Sequence, residues 1–243
     1  MLHATSALFF ETERKLFFEF AETLGERDGT VVDVGCGNGA YLAKLHGAFP
    51  KLRMTGLEID PAIYDIAAAR EAPGLSFQLT SYEVSDVEVG STGAVLARLV
   101  LQHIHDKRHF GIWACERLTA NGRLIVVDID EDALQLNERL PLFSQLYARS
   151  RSVLPSTGWL TFRDAVRLEL MACGFAVEHT KRYSIAATTE ETKQQLYHYM
   201  RCVSELYLGA PPPEEMEAEW SAWLDDPQAS HEIYMFGHVF IKK

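Results

Sequence analysis

The chain has 243 residues, 47% hydrophobic and 23% charged, with a formal net charge of −11. Length and composition suit one large globular domain. So acidic a balance disfavours DNA or RNA, which need a basic footprint, and favours a small-molecule substrate. The cysteines Cys36, Cys115, Cys173 and Cys202 are scattered, with no C-x-x-C pair. No metal centre or disulfide framework is expected, and a reducing compartment is the default. No apolar run approaches the ~18 residues of a membrane span, and Met1 to Ser6 lack a basic segment ahead of an apolar run. The expectation is a cytoplasmic monomer or homodimer, with neither membrane nor nucleic acid as partner.

Leu8, Phe9, Leu16, Phe17, Phe20 and Leu24 recur at helical spacing, which predicts a helix over residues 6–24, stopped by Gly25. Asp28-Gly29 turns the chain into a first strand over 30–34. Val31-Val32-Asp33-Val34 then meets Gly35-Cys36-Gly37-Asn38-Gly39-Ala40, and Tyr41-Leu42-Ala43-Lys44-Leu45 resumes with helical spacing. Strand, glycine turn and helix N-terminus form a nucleotide-binding device. Gly35-x-Gly37-x-x-Ala40 alone also fits a loose dinucleotide fingerprint, so an NAD-dependent oxidoreductase is an alternative. Asp33, beside a helix N-terminus, suits a cationic ligand end better than a pyrophosphate.

The stretch resembles motif I (D-x-G-x-G-x-G) of the class I S-adenosylmethionine-dependent methyltransferases, with Asp33, Gly35, Gly37 and Gly39 at its fixed positions. The resemblance implies an α/β, Rossmann-like fold with a seven-stranded mixed sheet in order 3-2-1-4-5-7-6. It implies S-adenosylmethionine as cofactor, S-adenosylhomocysteine as product, and cofactor contacts at Asp33, Gly35, Cys36, Gly37 and Gly39. In this family a helix before the first strand partly covers the cofactor. Phe9, Phe10 and Arg14 are placed to face it, although core packing is the stronger account of the phenylalanines.

A helix over 39–48 ends at Phe49-Pro50, and strand two covers 53–59. Glu58 falls roughly twenty residues past the glycine turn, where a carboxylate accepts from ribose hydroxyls. Gly56-Leu57-Glu58-Ile59-Asp60-Pro61 resembles motif II of the same family, which puts Glu58 and Ile59 at the cofactor. Asp60 caps a helix over 61–70 that opens with Pro61. Strand three is 75–79. The family often has an acid after it for the adenine amine; here Ser81 takes that place, followed by Tyr82, and a hydroxyl is a weaker partner than a carboxylate.

Strand four, 93–98, leads into Ala97-Arg98-Leu99-Val100-Leu101-Gln102-His103, similar to the family's (A/C)-R-x-x-L-x-H segment. Ligands of open α/β sheets bind outside the carboxyl ends of the strands, which places Arg98 at the cofactor, Gln102 at the substrate and His103 as candidate general base. A helix over 107–119, an Asn121-Gly122 turn and a buried strand over 123–128 follow. Asp128, Asp130, Glu131 and Asp132 read as a solvated acidic rim, with Asp130 a candidate for binding an amine.

Residues 131–160 and 187–228 read as helical cap insertions within a single domain, 1–243. Tyr147, Arg151 and Trp159 are the pocket candidates there. A helix over 161–173 opens at Thr161 with Asp164 three residues on, strand six runs 175–185, Thr188 or Thr189 caps a helix over 190–208, a second helix covers 214–224, and the last strand is 233–241. The reading is S-adenosylmethionine-dependent methyl transfer to a nitrogen, oxygen or carbon of a small metabolite. The alternatives are a S-adenosylmethionine-binding protein without methyl transfer, methylation of a basic peptide, or the oxidoreductase.

Overall fold

The computed structural model describes residues 2–24, 29–130, 133, 136–151 and 160–243. The seven strands are β1 (Thr30–Val34), β2 (Arg53–Glu58), β3 (Leu75–Leu79), β4 (Thr92–Arg98), β5 (Leu118–Ile129), β6 (Phe175–Ala187) and β7 (His231–Lys242). They form one sheet in order β3-β2-β1-β4-β5-β7-β6, with only β7 antiparallel to its neighbours. The central strands are apolar on both faces, and alternate residues feed two cores. Val31, Leu96, Ile125 and Val127 point into one; Val32, Val34, Val95 and Val126 point into the other.

The first core is covered by α1 (Leu2–Phe17), α2 (Ala40–Ala48), α3 (Pro61–Ala68), α5 (Pro141–Arg151), α7 (Glu190–Leu208) and α8 (Glu214–Asp225). The second is covered by α4 (Lys107–Arg117) and α6 (Phe162–Ala172). Both α7 and α8 lie in the connection between β6 and β7, and α7 packs against α1, α5 and α8.

Local capping chemistry decides most helix starts. Asp60 accepts from the amides of Ala62 and Ile63, Thr161 from that of Asp164, and Thr189 forms a reciprocal capping box with Thr192. Near the end of α8, buried Lys193 of α7 donates to the carbonyls of Trp223 and Asp226, satisfying acceptors a helix end leaves open.

Two expected boundaries move furthest. The α-helix ends at Phe17 and tightens into a 3-10 turn over Glu19–Thr23. Phe17, Phe18 and Ala21 are all buried, and one α-helical stripe does not point adjacent residues the same way. The Asn121-Gly122 signal does not precede β5 but lies within it. Asn121 takes φ 64°, and the pairing with β4 shifts between Thr92 and Ala94, so the turn chemistry serves a bulge. The expected stop at Gly25 lies outside the described residues.

Candidate functional site

The carboxyl ends of β1, β2 and β4 meet at one edge of the sheet. Beyond Val34 the chain passes through Gly35, Gly37 and Gly39 at φ 70°, 57° and 71°, a region L side chains avoid. Space enforces the choice as well. A Cβ on Gly35 would sit 2.4 Å from Val100, and one on Gly39 would sit 2.6 Å from the Phe77 ring. The amides of Gly35 and Cys36 donate to the Leu57 carbonyl at 2.9 and 3.0 Å, tying the turn to β2.

Glu58 completes that tie. Its Oε2 accepts from the Gly37 amide at 2.9 Å, and its Oε1 accepts from Ile59 and Asp60 at 2.8 and 2.9 Å. A carboxylate offers about four lone-pair directions, so three backbone donors leave room for one more. Beside it Ile59 is 72% exposed, an apolar side chain turned outward at the rim.

Asp33 sits beneath the turn, 3% exposed, and its Oδ1 meets no partner among the described residues. Burial raises its pKa from 3.8 to about 8; Arg98 opposes that shift and Glu58 adds to it. An unpaired buried carboxyl oxygen is costly. Here it lies behind a turn whose glycines keep side chains out of the way, a fit for a cationic, hydrogen-bonding ligand end. Cys36 is buried against Gly56, and burial pushes its thiol well above the ordinary range, with Asp33 and Glu58 adding to the shift, so it lines the turn without acting as a nucleophile.

After β4, Leu99 takes φ 55°, costing about 1–2 kcal/mol in an L residue. The strained bend sets Val100 over Gly35. His103 is exposed, its amide donating to the Val100 carbonyl at 2.8 Å and its ring pairing with no described residue. Gln102 beside it is half-buried. Ser81 stands half-buried at the carboxyl end of β3, next to the 3-10 turn Tyr82–Val84.

Several expected site residues are committed elsewhere. Arg98 is not free for a ligand: its guanidinium donates to Glu13 Oε2 at 2.7 Å and to the Thr5 carbonyl, and lies 4.3 Å from the Tyr41 ring centre. Tyr183 donates to the same Glu13 at 2.8 Å. The group binds α1 to the sheet, its two charges 7% and 0% exposed. Arg14 pairs with Glu11 one turn away, and Phe9 and Phe10 are core residues. The Tyr82 ring packs edge-on against Phe110 and Trp113, which removes it as an adenine platform. Asp130 is no solvated rim residue: 1% exposed, it is paired with Arg182 and Arg163. Tyr147 is buried, its hydroxyl 3.3 Å from that of Tyr199. Arg151 closes α5 but its side chain lies outside the described residues, as does Trp159. Among the described residues no group of three or more His, Cys, Asp or Glu side chains is arranged for a metal ion, and no helix is long and apolar enough to cross a membrane.

Sequence reasoning missed Glu13 and His231. Glu13 had a signal: with Phe9 and Phe17 it lies on one buried helical face, where a lone acid needs a partner. His231, the first residue of β7, had none.

Strand order, left-handed glycine turn and acidic β2 terminus together define the class I methyltransferase fold. Residues 31–122 match the family model described as a methyltransferase domain. No curated protein matches the chain. Among solved structures, a protein provisionally assigned as a sarcosine dimethylglycine methyltransferase from Galdieria sulphuraria is 18% identical, with a TM-score of 0.61 over 96% of this chain and 86% of that one. Geranyl diphosphate C-methyltransferase from Streptomyces coelicolor A3(2), solved with Mg2+, geranyl diphosphate and S-adenosyl-L-homocysteine, is 16% identical, with a TM-score of 0.56 over 93% and 77%. Phosphoethanolamine N-methyltransferase 2 from Haemonchus contortus, solved with S-adenosyl-L-methionine, is 14% identical, with a TM-score of 0.62 over 99% and 56%. At such identities the likeness speaks for fold.

Proposed function

We propose that the chain moves a methyl group from S-adenosylmethionine to a small molecule, leaving S-adenosylhomocysteine. The unpartnered Asp33 carboxyl behind the glycine turn carries this reading, because it answers a ligand's ammonium group better than a pyrophosphate. In this assignment Gly35, Cys36, Gly37 and Gly39 line the amino-acid end, and Glu58 gives its remaining lone pair to a ribose hydroxyl. Ile59 and Ser81 flank the adenine. Bound cofactor supplies a methyl already activated by its sulfonium.

The protein's own contribution is alignment and exclusion of water. The helices α5, α7 and α8 serve as the cap, with Gln102 toward the acceptor. His103, exposed where β4 ends, takes the proton when the acceptor has one to lose.

The test is incubation with methyl-labelled S-adenosylmethionine, a panel of small amines, phenols and acidic carbon compounds, and a basic peptide. Label is expected on a small molecule and not on the peptide, with none transferred by Gly37→Val. Label on the peptide alone, or none on any acceptor while the cofactor binds, contradicts the proposal.

A further inference from the structure

Asp33 and Arg98 are diagonal neighbours on one face of the sheet. In the parallel pairing of β1 with β4, Asp33 stands beside Leu96, two residues before Arg98. Val31 and Leu96 point into the first core. Alternation therefore sends Asp33 and Arg98 to that same side, within reach of a long side chain. After burial, the Arg98 charge is the largest influence on the Asp33 carboxyl, with Glu58 acting from β2.

The guanidinium is nevertheless held by another acid. Its Nε donates to Glu13 Oε2 at 2.7 Å, its Nη2 to the Thr5 carbonyl at 3.3 Å, and it lies over the Tyr41 ring of α2. Tyr183 donates to Oε1 of the same Glu13 at 2.8 Å, which fixes the carboxylate from a second side. Glu13 reaches this place from α1, where Phe9, Glu13 and Phe17 form one buried row.

Buried charges need local balance. Without a ligand, Glu13 balances Arg98, and a proton balances Asp33, whose pKa of about 8 keeps that proton on the carboxyl at neutral pH. A ligand's ammonium group takes the proton's place, and two acids then face two cations. With Glu13 gone, the same ammonium would stand one diagonal from an uncompensated guanidinium and be repelled by it.

We infer that Glu13 is a positioning residue for the proposed methyl donor: by cancelling the charge of Arg98, it reserves Asp33 for the donor's ammonium group. This rests on the cofactor reading above. Seating of α1 and recognition of the ammonium are thereby coupled, and by linkage the bound cofactor stabilises α1 on the sheet.

The experiment compares two nucleoside thioethers by calorimetry: decarboxylated S-adenosylhomocysteine, which carries the ammonium group, and methylthioadenosine, which lacks it. The parent protein should prefer the amine by at least roughly tenfold. Glu13→Gln should lose about tenfold in affinity for the amine and leave methylthioadenosine unchanged, whereas a merely structural role would weaken both. Glu13→Leu with Arg98→Met deletes both charges at once, should keep the parent's preference within about threefold, and serves if circular dichroism shows Glu13→Gln unfolded. No preference in a parent that binds methylthioadenosine, a Glu13→Gln variant with parental preference, equal weakening of both nucleosides, or loss of the preference in the double variant overturns the inference. A parent that binds neither nucleoside contradicts the cofactor reading itself, on which the inference stands.

Discussion

The glycine-turn edge and the helical layer behind α1 solve the problem of holding a polar group in opposite ways. At the turn, backbone does the holding: three amides fix Glu58, and Asp33 keeps an unpaired oxygen. Under α1, side chains do it: Glu13, Arg98, Tyr183 and Tyr41 pack on one another, and both Glu13 oxygens are taken. Backbone scaffolding leaves a carboxyl available to a ligand, whereas closed side-chain networks anchor one element to another. Two buried acids, Asp33 at 3% and Glu13 at 0% exposed, therefore sit in opposite settings.

The sharpest way to break the comparison is at the turn. Gly37→Val forces a β-branched residue into φ 57°, a genuine outlier. It should abolish S-adenosylhomocysteine binding in calorimetry while circular dichroism stays native; parental affinity would refute the loop assignment. The network should respond in stability. Glu13→Gln leaves Arg98 buried without its counter-charge and should cost about 3–5 kcal/mol in urea unfolding. Glu13→Leu with Arg98→Met should recover much of that loss, since a buried pair often gains little over an apolar one; a single-variant cost under about 1 kcal/mol would mean the network is no anchor.

Next in size is Glu58→Ala, expected to weaken S-adenosylhomocysteine by about 1–3 kcal/mol through a lost charge-assisted hydrogen bond and a loosened Gly37. Undiminished affinity removes Glu58 from the ribose.

A further test is the pH response of Asp33. Its folded pKa of about 8 lies above its ordinary 3.8, so between those values the folded protein holds a proton the unfolded chain has released. Stability from this group therefore falls as pH rises from about 4 to about 8, then levels off. Asp33→Asn should flatten that slope in thermal unfolding. A cation at Asp33 favours its ionised form, so S-adenosylhomocysteine binding at pH 7 should release a fraction of a proton. Calorimetry in two buffers of different ionisation enthalpy measures it, and no difference between buffers would mean Asp33 does not meet the amine.

The same contrast explains what the sequence could tell. The glycine turn, Glu58 and the caps at Asp60, Thr161 and Thr189 depend on neighbours within a few residues, or on the regular spacing of a strand-turn-helix unit, and could be read directly. Strand order followed from the motif's resemblance. Arg98 and Asp130 misled because their partners stand 85 and 52 residues away, and no local pattern distinguishes a buried arginine bound to glutamate from one waiting for a carboxylate. Tyr82 misled similarly, its ring claimed by Phe110 and Trp113. His231 was invisible because its environment comes from α5, α7 and the start of β7, which converge only in the folded chain.

The central claim is that the bend after Asp33 receives an aminoacyl nucleoside and not a dinucleotide. Calorimetric titration of the parent protein with S-adenosylhomocysteine and, separately, NADH tests it most directly. The account predicts saturable one-to-one binding of S-adenosylhomocysteine and none of NADH. NADH binding without S-adenosylhomocysteine binding would contradict it.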